Sequence, residues 1–203
     1  MIKSIIFDFG DVFLDLDKSG AMQNALDIFG IEALTDEMIA VNCLYEQGLI
    51  STSEFIDFYC DYFSHISSQD LIDIWNYVLK EFPKHRLEFI KQLYKQNKYK
   101  LILLSNTNEL HIDWVIKNVS FYEEFKYNFS KFYLSHEIGL RKPDSDIFEF
   151  VLNENKIKAE ECFFIDDTKE NTDAAKLLGI HTWNIDETKE DVVDLFKIKK
   201  HLF

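Results

Sequence analysis

Three short, unbroken apolar runs constrain this chain more than any other feature: Ile5-Ile6-Phe7, Leu101-Ile102-Leu103-Leu104 and Cys162-Phe163-Phe164-Ile165. Runs of this length, bounded by polar residues and lacking alternation, are the pattern of strands covered on both faces, as in a parallel sheet. Each run stops at a polar residue: Asp8, Ser105 or Asp166. In open α/β sheets, binding groups collect where strands end at their carboxyl edge. The three run ends are therefore expected to meet in space although they lie far apart in sequence.

Between the first and second runs the periodicity is helical. Residues 36–45, 53–63 and 68–82 read as amphipathic helices, Glu46-Gln47-Gly48 as a turn, and Ser51 to Glu54 as a capped helix start. The expectation is an α/β protein with a Rossmann-like parallel sheet core, residues 1–15 and 85–203, and an all-helical insert, residues 16–84, over the sheet's carboxyl edge. Pro83 marks the return to the core. Helices are expected over 86–97 and 171–178, the second ended by Gly179. A hydrophobic content of 47% is enough for a core of this size and a smaller second unit.

The formal net charge of −14 sets the global field against polyanions. Nucleic acid and anionic membrane surfaces are poor partners, and an anionic substrate must be captured by local positive charge. Cys43, Cys60 and Cys162 form no paired pattern, which suits a reducing compartment. The apolar stretch at Met1–Phe7 is too short for a signal-peptide core, and no run approaches the ~20 apolar residues that span a bilayer. The expectation is a cytoplasmic protein, a monomer by default. The histidines form no zinc-type pair. His111, His136 and His181 read as surface or loop residues, Trp75 and Tyr77 as core, and Asp15 and Asp17 as a solvated hinge or contacts to a sugar hydroxyl.

Four segments carry chemistry. Asp8 follows the first run and precedes a Gly-containing loop, Phe9-Gly10-Asp11-Val12, as a nucleophile or metal ligand would. Ser105-Asn106-Thr107 offers a hydroxyl and exposed amides. Leu140-Arg141-Lys142-Pro143-Asp144 places an ammonium where a helix is expected to open, which favours anions. Asp166 and Asp167 set two carboxylates side by side, an arrangement relieved by a hard cation.

In this order the four segments, over about Ile2 to Ile185, resemble the haloacid dehalogenase (HAD) superfamily, and the helical insert resembles its type 1 cap. The resemblance implies a magnesium-dependent phosphohydrolase for a small phosphorylated metabolite. Asp8 would be the phosphate-accepting nucleophile. Mg²⁺ would be held by Asp8, the Gly10 carbonyl and Asp166 or Asp167. Ser105 and Asn106 would bind the phosphoryl group, and Lys142 would neutralise charge. Two like charges at ~4 Å repel by ~4 kcal/mol at an effective dielectric near 20, so cations are what allow carboxylate and phosphate to meet.

The chain departs from the family pattern at Gly10, where phosphatases of this kind usually carry an acidic proton donor. Proton donation is typically worth ~10²–10⁴-fold. A leaving group that needs little protonation, or a donor such as Asp11, would compensate. The form of this first segment is similar to a branch that includes sugar-1-phosphate phosphatases, so a sugar phosphate such as α-glucose 1-phosphate is the expected substrate. The alternatives are a phosphate-binding regulatory protein on the same scaffold and a 2-haloacid dehalogenase, which would have no use for the Asp166-Asp167 pair.

Overall fold

The computed structural model describes the whole chain, Met1–Phe203. Strand β1 (Ser4–Phe7) is followed by four helices, α1 (Lys18–Phe29), α2 (Asp36–Glu46), α3 (Thr52–Tyr62) and α4 (Ser68–Asn76). Then come α5 (Lys84–Gln96), β2 (Lys100–Ser105), α6 (Glu109–Asn118), α7 (Tyr122–Tyr127), β3 (Lys131–Leu134) and α8 (Ser135–Ile138). The chain ends with α9 (Ser145–Asn155), β4 (Cys162–Asp166), α10 (Lys169–Leu177), β5 (His181–Asn184) and α11 (Leu195–Ile198).

The five strands form one parallel sheet in the order β3-β2-β1-β4-β5. The three apolar runs are its central strands, and their lack of alternation has a direct cause. Ile5 and Phe7, Leu101 and Leu103, and Phe163 and Ile165 enter one apolar cluster; Ile6, Ile102, Leu104, Cys162 and Phe164 enter another on the opposite face. Successive side chains point to opposite faces, and helices cover both. The first face is dense in aromatics, with Phe13 packed edge-on against Phe125 at 4.8 Å between ring centroids.

Helices α1 to α4 build a third apolar cluster of their own, including Phe29, Met38, Tyr45, Phe55, Tyr59, Leu71 and Ile74, joined by Leu110 of α6. The start of α3 is fixed by a capping box: Ser51 Oγ accepts from the Glu54 N–H while Glu54 Oε2 accepts from the Ser51 N–H at 2.8 Å.

Four features differ from expectation. The helix expected over 68–82 stops at Asn76. Beyond it the chain pairs with the segment leaving β1: Asp17 N–H donates to Val78 O at 2.9 Å, Asp15 N–H to Glu81 O at 2.8 Å and Lys80 N–H to Asp15 O at 3.0 Å. Leu16 and Leu79 form an antiparallel bridge there, so the two connections make a short ribbon. Helix α1 was not foreseen, although its ends are marked: Asp17 accepts from Gly20 N–H at 2.8 Å, and Gly30 takes the left-handed conformation at φ 71°. Asp17 is thus a helix cap, and Asp15 pairs with buried Arg86 at 2.6 Å; neither is merely solvated. Tyr77 is exposed, not core.

Candidate active site

The register of the sheet assembles the site. Phe7 is level with Leu103 on one side and Ile165 on the other, so Asp8, Leu104 and Asp166 share the next level at the carboxyl edge. Lys142, 1% exposed, enters this level from the loop before α9. Its Nζ donates to Asp8 Oδ1 at 2.6 Å, Asp166 Oδ2 at 2.6 Å and Leu104 O at 2.9 Å. All three ammonium protons therefore have an acceptor, which is what a buried ammonium requires.

Lys142 does not open a helix, since α9 begins at Ser145. It is placed by Asn106 instead. The Asn106 amide donates to Lys142 O at 2.8 Å and its Oδ1 accepts from Lys142 N–H at 2.9 Å. That side chain is spent on the Lys142 backbone. Ser105 is buried at the end of β2, and its hydroxyl makes a single long contact, 3.4 Å, to Asn106 O.

Asp166 is fully buried. Besides Lys142 it accepts from Thr168 N–H at 2.8 Å and from the Asn171 amide at 3.1 Å to each oxygen. Asp167 turns to the opening and pairs with Lys18 Nζ at 2.5 Å; the same ammonium reaches Asp11 Oδ2 at 2.9 Å. Asp8, Asp166 and Asp167 each present a carboxylate oxygen within 4.8 Å of the others. Burial, with Asp166 and Asp167 adding to it and Lys142 opposing, pushes the Asp8 carboxyl up to about 7. Burial works against the Lys142 ammonium, but Asp166 and Asp8 outweigh it and its pKa is raised. Burial also raises Asp167, against the pull of Lys18.

Four carboxylates, Asp8, Asp11, Asp166 and Asp167, are thus met by two ammonium groups, Lys18 and Lys142. Two negative charges remain uncompensated in a partly buried space, with hard oxygen donors close together. That deficit fits a divalent cation with oxygen preference.

Asp8, Gly10, Lys18, Asn106, Lys142, Asp167 and Asn171 all face one cleft of about 480 Å³. Ser105 and Asp166 are not part of its wall. Gly10 is held there by a close approach: a Cβ on it would stand 2.6 Å from Leu16 Cδ1. Asp11 is not in the wall either. Its backbone is left-handed at φ 53°, and its Oδ1 accepts from Leu16 N–H at 2.8 Å, so both carboxylate oxygens serve the turn and Lys18.

The Glu46 turn reaches the cleft. Glu46 pairs with Arg141 at 2.9 Å, and Ser135 Oγ donates to Glu46 O at 2.5 Å. Gly48 is required in that seat, because a Cβ would lie 2.0 Å from His136 O and its φ is 65°. His111 is half-buried, not a surface residue. Its Nε2 faces Trp75 O at 3.1 Å, which makes that nitrogen the donor, and its Nδ1 faces the Asn108 amide at 3.2 Å. Burial holds its pKa down to about 4. Lys18, Arg141 and His111 were missed as site residues because nothing in a lone Lys, Arg or His marks the element it will face.

A model of haloacid dehalogenase-like hydrolases matches residues 2–179. The chain belongs to that family. A D-ribitol-5-phosphate phosphatase of Bacteroides thetaiotaomicron is 30% identical over 190 residues, covering 90% of this chain and 91% of its own. The HAD family enzyme bt-2542 of B. thetaiotaomicron, solved as the wild-type protein with magnesium and inorganic phosphate, superposes with a TM-score of 0.83 at 34% identity, covering 97% of this chain and 100% of its own. A HAD-like hydrolase structure from Porphyromonas gingivalis gives a TM-score of 0.83 at 28% identity, covering 100% and 98%. Membership accounts for the four segments together. No helix is long and apolar enough to cross a membrane.

Proposed function

We propose that this HAD-like hydrolase is a magnesium-dependent phosphatase of small phosphorylated metabolites, with sugar and polyol phosphates as its substrate class. The observation that carries the reading is the buried Lys142 ammonium clasped between Asp8 and Asp166 beside two uncompensated negative charges. The D-ribitol-5-phosphate phosphatase activity of the B. thetaiotaomicron relative and the magnesium and phosphate bound by bt-2542 support it.

In this reading Asp8 attacks phosphorus, the P–O bond to the leaving group breaks, and the resulting aspartyl-phosphate is hydrolysed by water. Lys142 holds the Asp8 carboxylate in place and favours its ionised, nucleophilic form against the burial that raises it. Asp166 keeps Lys142 charged and is itself fixed by Asn171 and Thr168. Asn106 sets the height of Lys142 through its backbone, and Ser105, buried behind the cleft wall at the end of β2, would have to turn its hydroxyl outward to bind the phosphoryl group. Asp8, the Gly10 carbonyl and Asp167 or Asp166 would hold magnesium, which would supply the positive charge that the carboxylates lack. Helices α1 to α4 act as a cap, residues 16–84, on a core of residues 1–15 and 85–203.

With no carboxyl at position 10 and both Asp11 oxygens engaged, leaving oxygens that need little protonation are favoured. α-Glucose 1-phosphate is therefore the ester to test first, with ribitol 5-phosphate as comparator. The experiment is phosphate release from a panel of phosphate esters with Mg²⁺ and with EDTA, for the wild type and Asp8→Asn. Metal-dependent turnover lost by a factor of at least ~10³ in the variant supports the reading. Turnover that survives Asp8→Asn, or none at all, removes it; the second outcome, with phosphate still bound, favours a regulatory scaffold.

A further inference from the structure

A second hollow, of about 250 Å³, opens beside the cleft and shares Lys18, Glu46, Val78 and His111 with it. Its deeper walls come from α1, α3 and α4: Ala21, Ala25, Phe29, Tyr59, Ile74 and Trp75. Nine of its thirteen lining residues are hydrophobic, against three of seventeen in the cleft. Its one unmet polar demand is the Trp75 indole N–H, which is buried without an acceptor. A cavity of 150 Å³ with such walls already takes up benzene, so this one has room for a group of ring size or larger.

Resting on the phosphatase reading, we infer that, beyond sugar and polyol phosphates, the protein turns over phosphorylated compounds with an apolar far end, acyl phosphates among them: the cleft takes the phosphate and its polar neighbours, and the hollow between α1 and α4 takes the apolar end. The four wall residues shared by the two spaces place the hollow next to the cleft, and that adjacency gives the direction of the leaving group. The chemistry of the walls gives its character. Hydroxyls carried into this hollow would lie against Ala21, Ala25, Phe29 and Ile74, and such burial is costly, so the hollow selects an apolar group while a sugar or polyol would be held in the cleft. The small side chains at positions 21 and 25, one turn apart on α1, create the space.

The test uses acetyl, butyryl and hexanoyl phosphate. Their leaving carboxylates are nearly equal in acidity, so chain length is the only substantial variable. A buried methylene is worth roughly threefold to fourfold, so with four methylenes added kcat/KM is expected to climb by about a hundredfold from acetyl to hexanoyl phosphate. Ala25→Leu, which fills the hollow, is expected to reduce the hexanoyl-to-acetyl ratio at least tenfold. Ala21→Leu should do the same, and serves if the first variant does not fold. A flat or falling series in the wild-type protein overturns the inference without any variant. A rising series that neither substitution alters also overturns it, because the tail then lies elsewhere. Absence of Asp8-dependent turnover of the acyl phosphates and of the sugar phosphates alike is a different result, since it removes the phosphatase reading beneath the inference and the inference with it; turnover of the sugar phosphates alone overturns only the inference.

Discussion

Replacing Lys142 by Met removes the one cation between Asp8 and Asp166 while keeping a side chain of similar length. The carboxylate oxygens of the acid cluster lie within 4.8 Å of one another, so two ionised groups there repel by about 3–4 kcal/mol at an effective dielectric near 20. Loss of one partner of a buried pair costs about 3–5 kcal/mol in general, and the two figures agree. Urea unfolding in EDTA at pH 7.5 is therefore expected to show a loss of about 3–4 kcal/mol. The pH dependence gives the sharper check. In the wild-type protein burial already pushes Asp8 up to about 7, and without Lys142 its folded pKa rises further. A carboxyl whose folded pKa exceeds its unfolded one binds more protons in the native state, so stability is present at low pH and falls as pH rises. The deficit of Lys142→Met should accordingly shrink at pH 5, where one carboxylate takes up a proton. Added Mg²⁺ should shrink it too. A variant as stable as the wild type at pH 7.5 in EDTA, or one whose deficit grows on acidification, would refute the reasoning.

Three further outcomes are expected. His111, held down to about 4 by burial, refuses a proton that the unfolded chain accepts below about 6.5. Stability should be whole above pH 6.5 and decline toward pH 4 by no more than about 3 kcal/mol, and chemical denaturation of His111→Gln across that window should show a flatter acid limb. Gly10→Ala should destabilise by about 1 kcal/mol through overpacking on Leu16; a higher melting temperature, the usual result of Gly→Ala at an unstrained position, would contradict the contact. Arg86 donates to Asp15, Asp191 and Phe13 O, so Arg86→Met should lower stability by about 2–4 kcal/mol, measured by calorimetry at neutral pH.

The central sheet was readable because its strands are buried on both faces and so are written as continuous apolar runs. The edge strands were not. Lys131-Phe132-Tyr133-Leu134 and His181-Thr182-Trp183-Asn184 mix exposed and buried positions, and nothing in four such residues separates a strand from a loop. The helical nature of residues 36–76 was legible from its period, whereas the stop at Asn76 was set by main-chain pairing with Asp15–Asp17 that no local pattern announces. At the site, Asp8, Lys142, Asp166 and Asp167 were found because their types and order are informative. Their partners were less visible. Asn106, expected to face phosphate, lines the cleft, but its side chain also grips the Lys142 backbone, a role decided by a loop 36 residues away in sequence. Nothing in the sequence around Lys18 marks it for the site, and it is α1 that brings it against Asp11 and Asp167.

The ribbon at Leu16 and Leu79 also bears on how the chain folds. Strands β1 and β2 are neighbours in the sheet, yet the whole of α1 to α5 lies between them in sequence. Closing so long a loop as flexible chain would be slow and entropically costly. A helical segment that first gathers around its own apolar cluster brings Leu16 and Leu79 together in advance. The search that pairs β1 with β2 then spans only the ribbon and α5. Early order in α1 to α4 should therefore speed formation of the central sheet, and substitutions in that cluster, such as Phe55→Leu, should slow folding more than they speed unfolding.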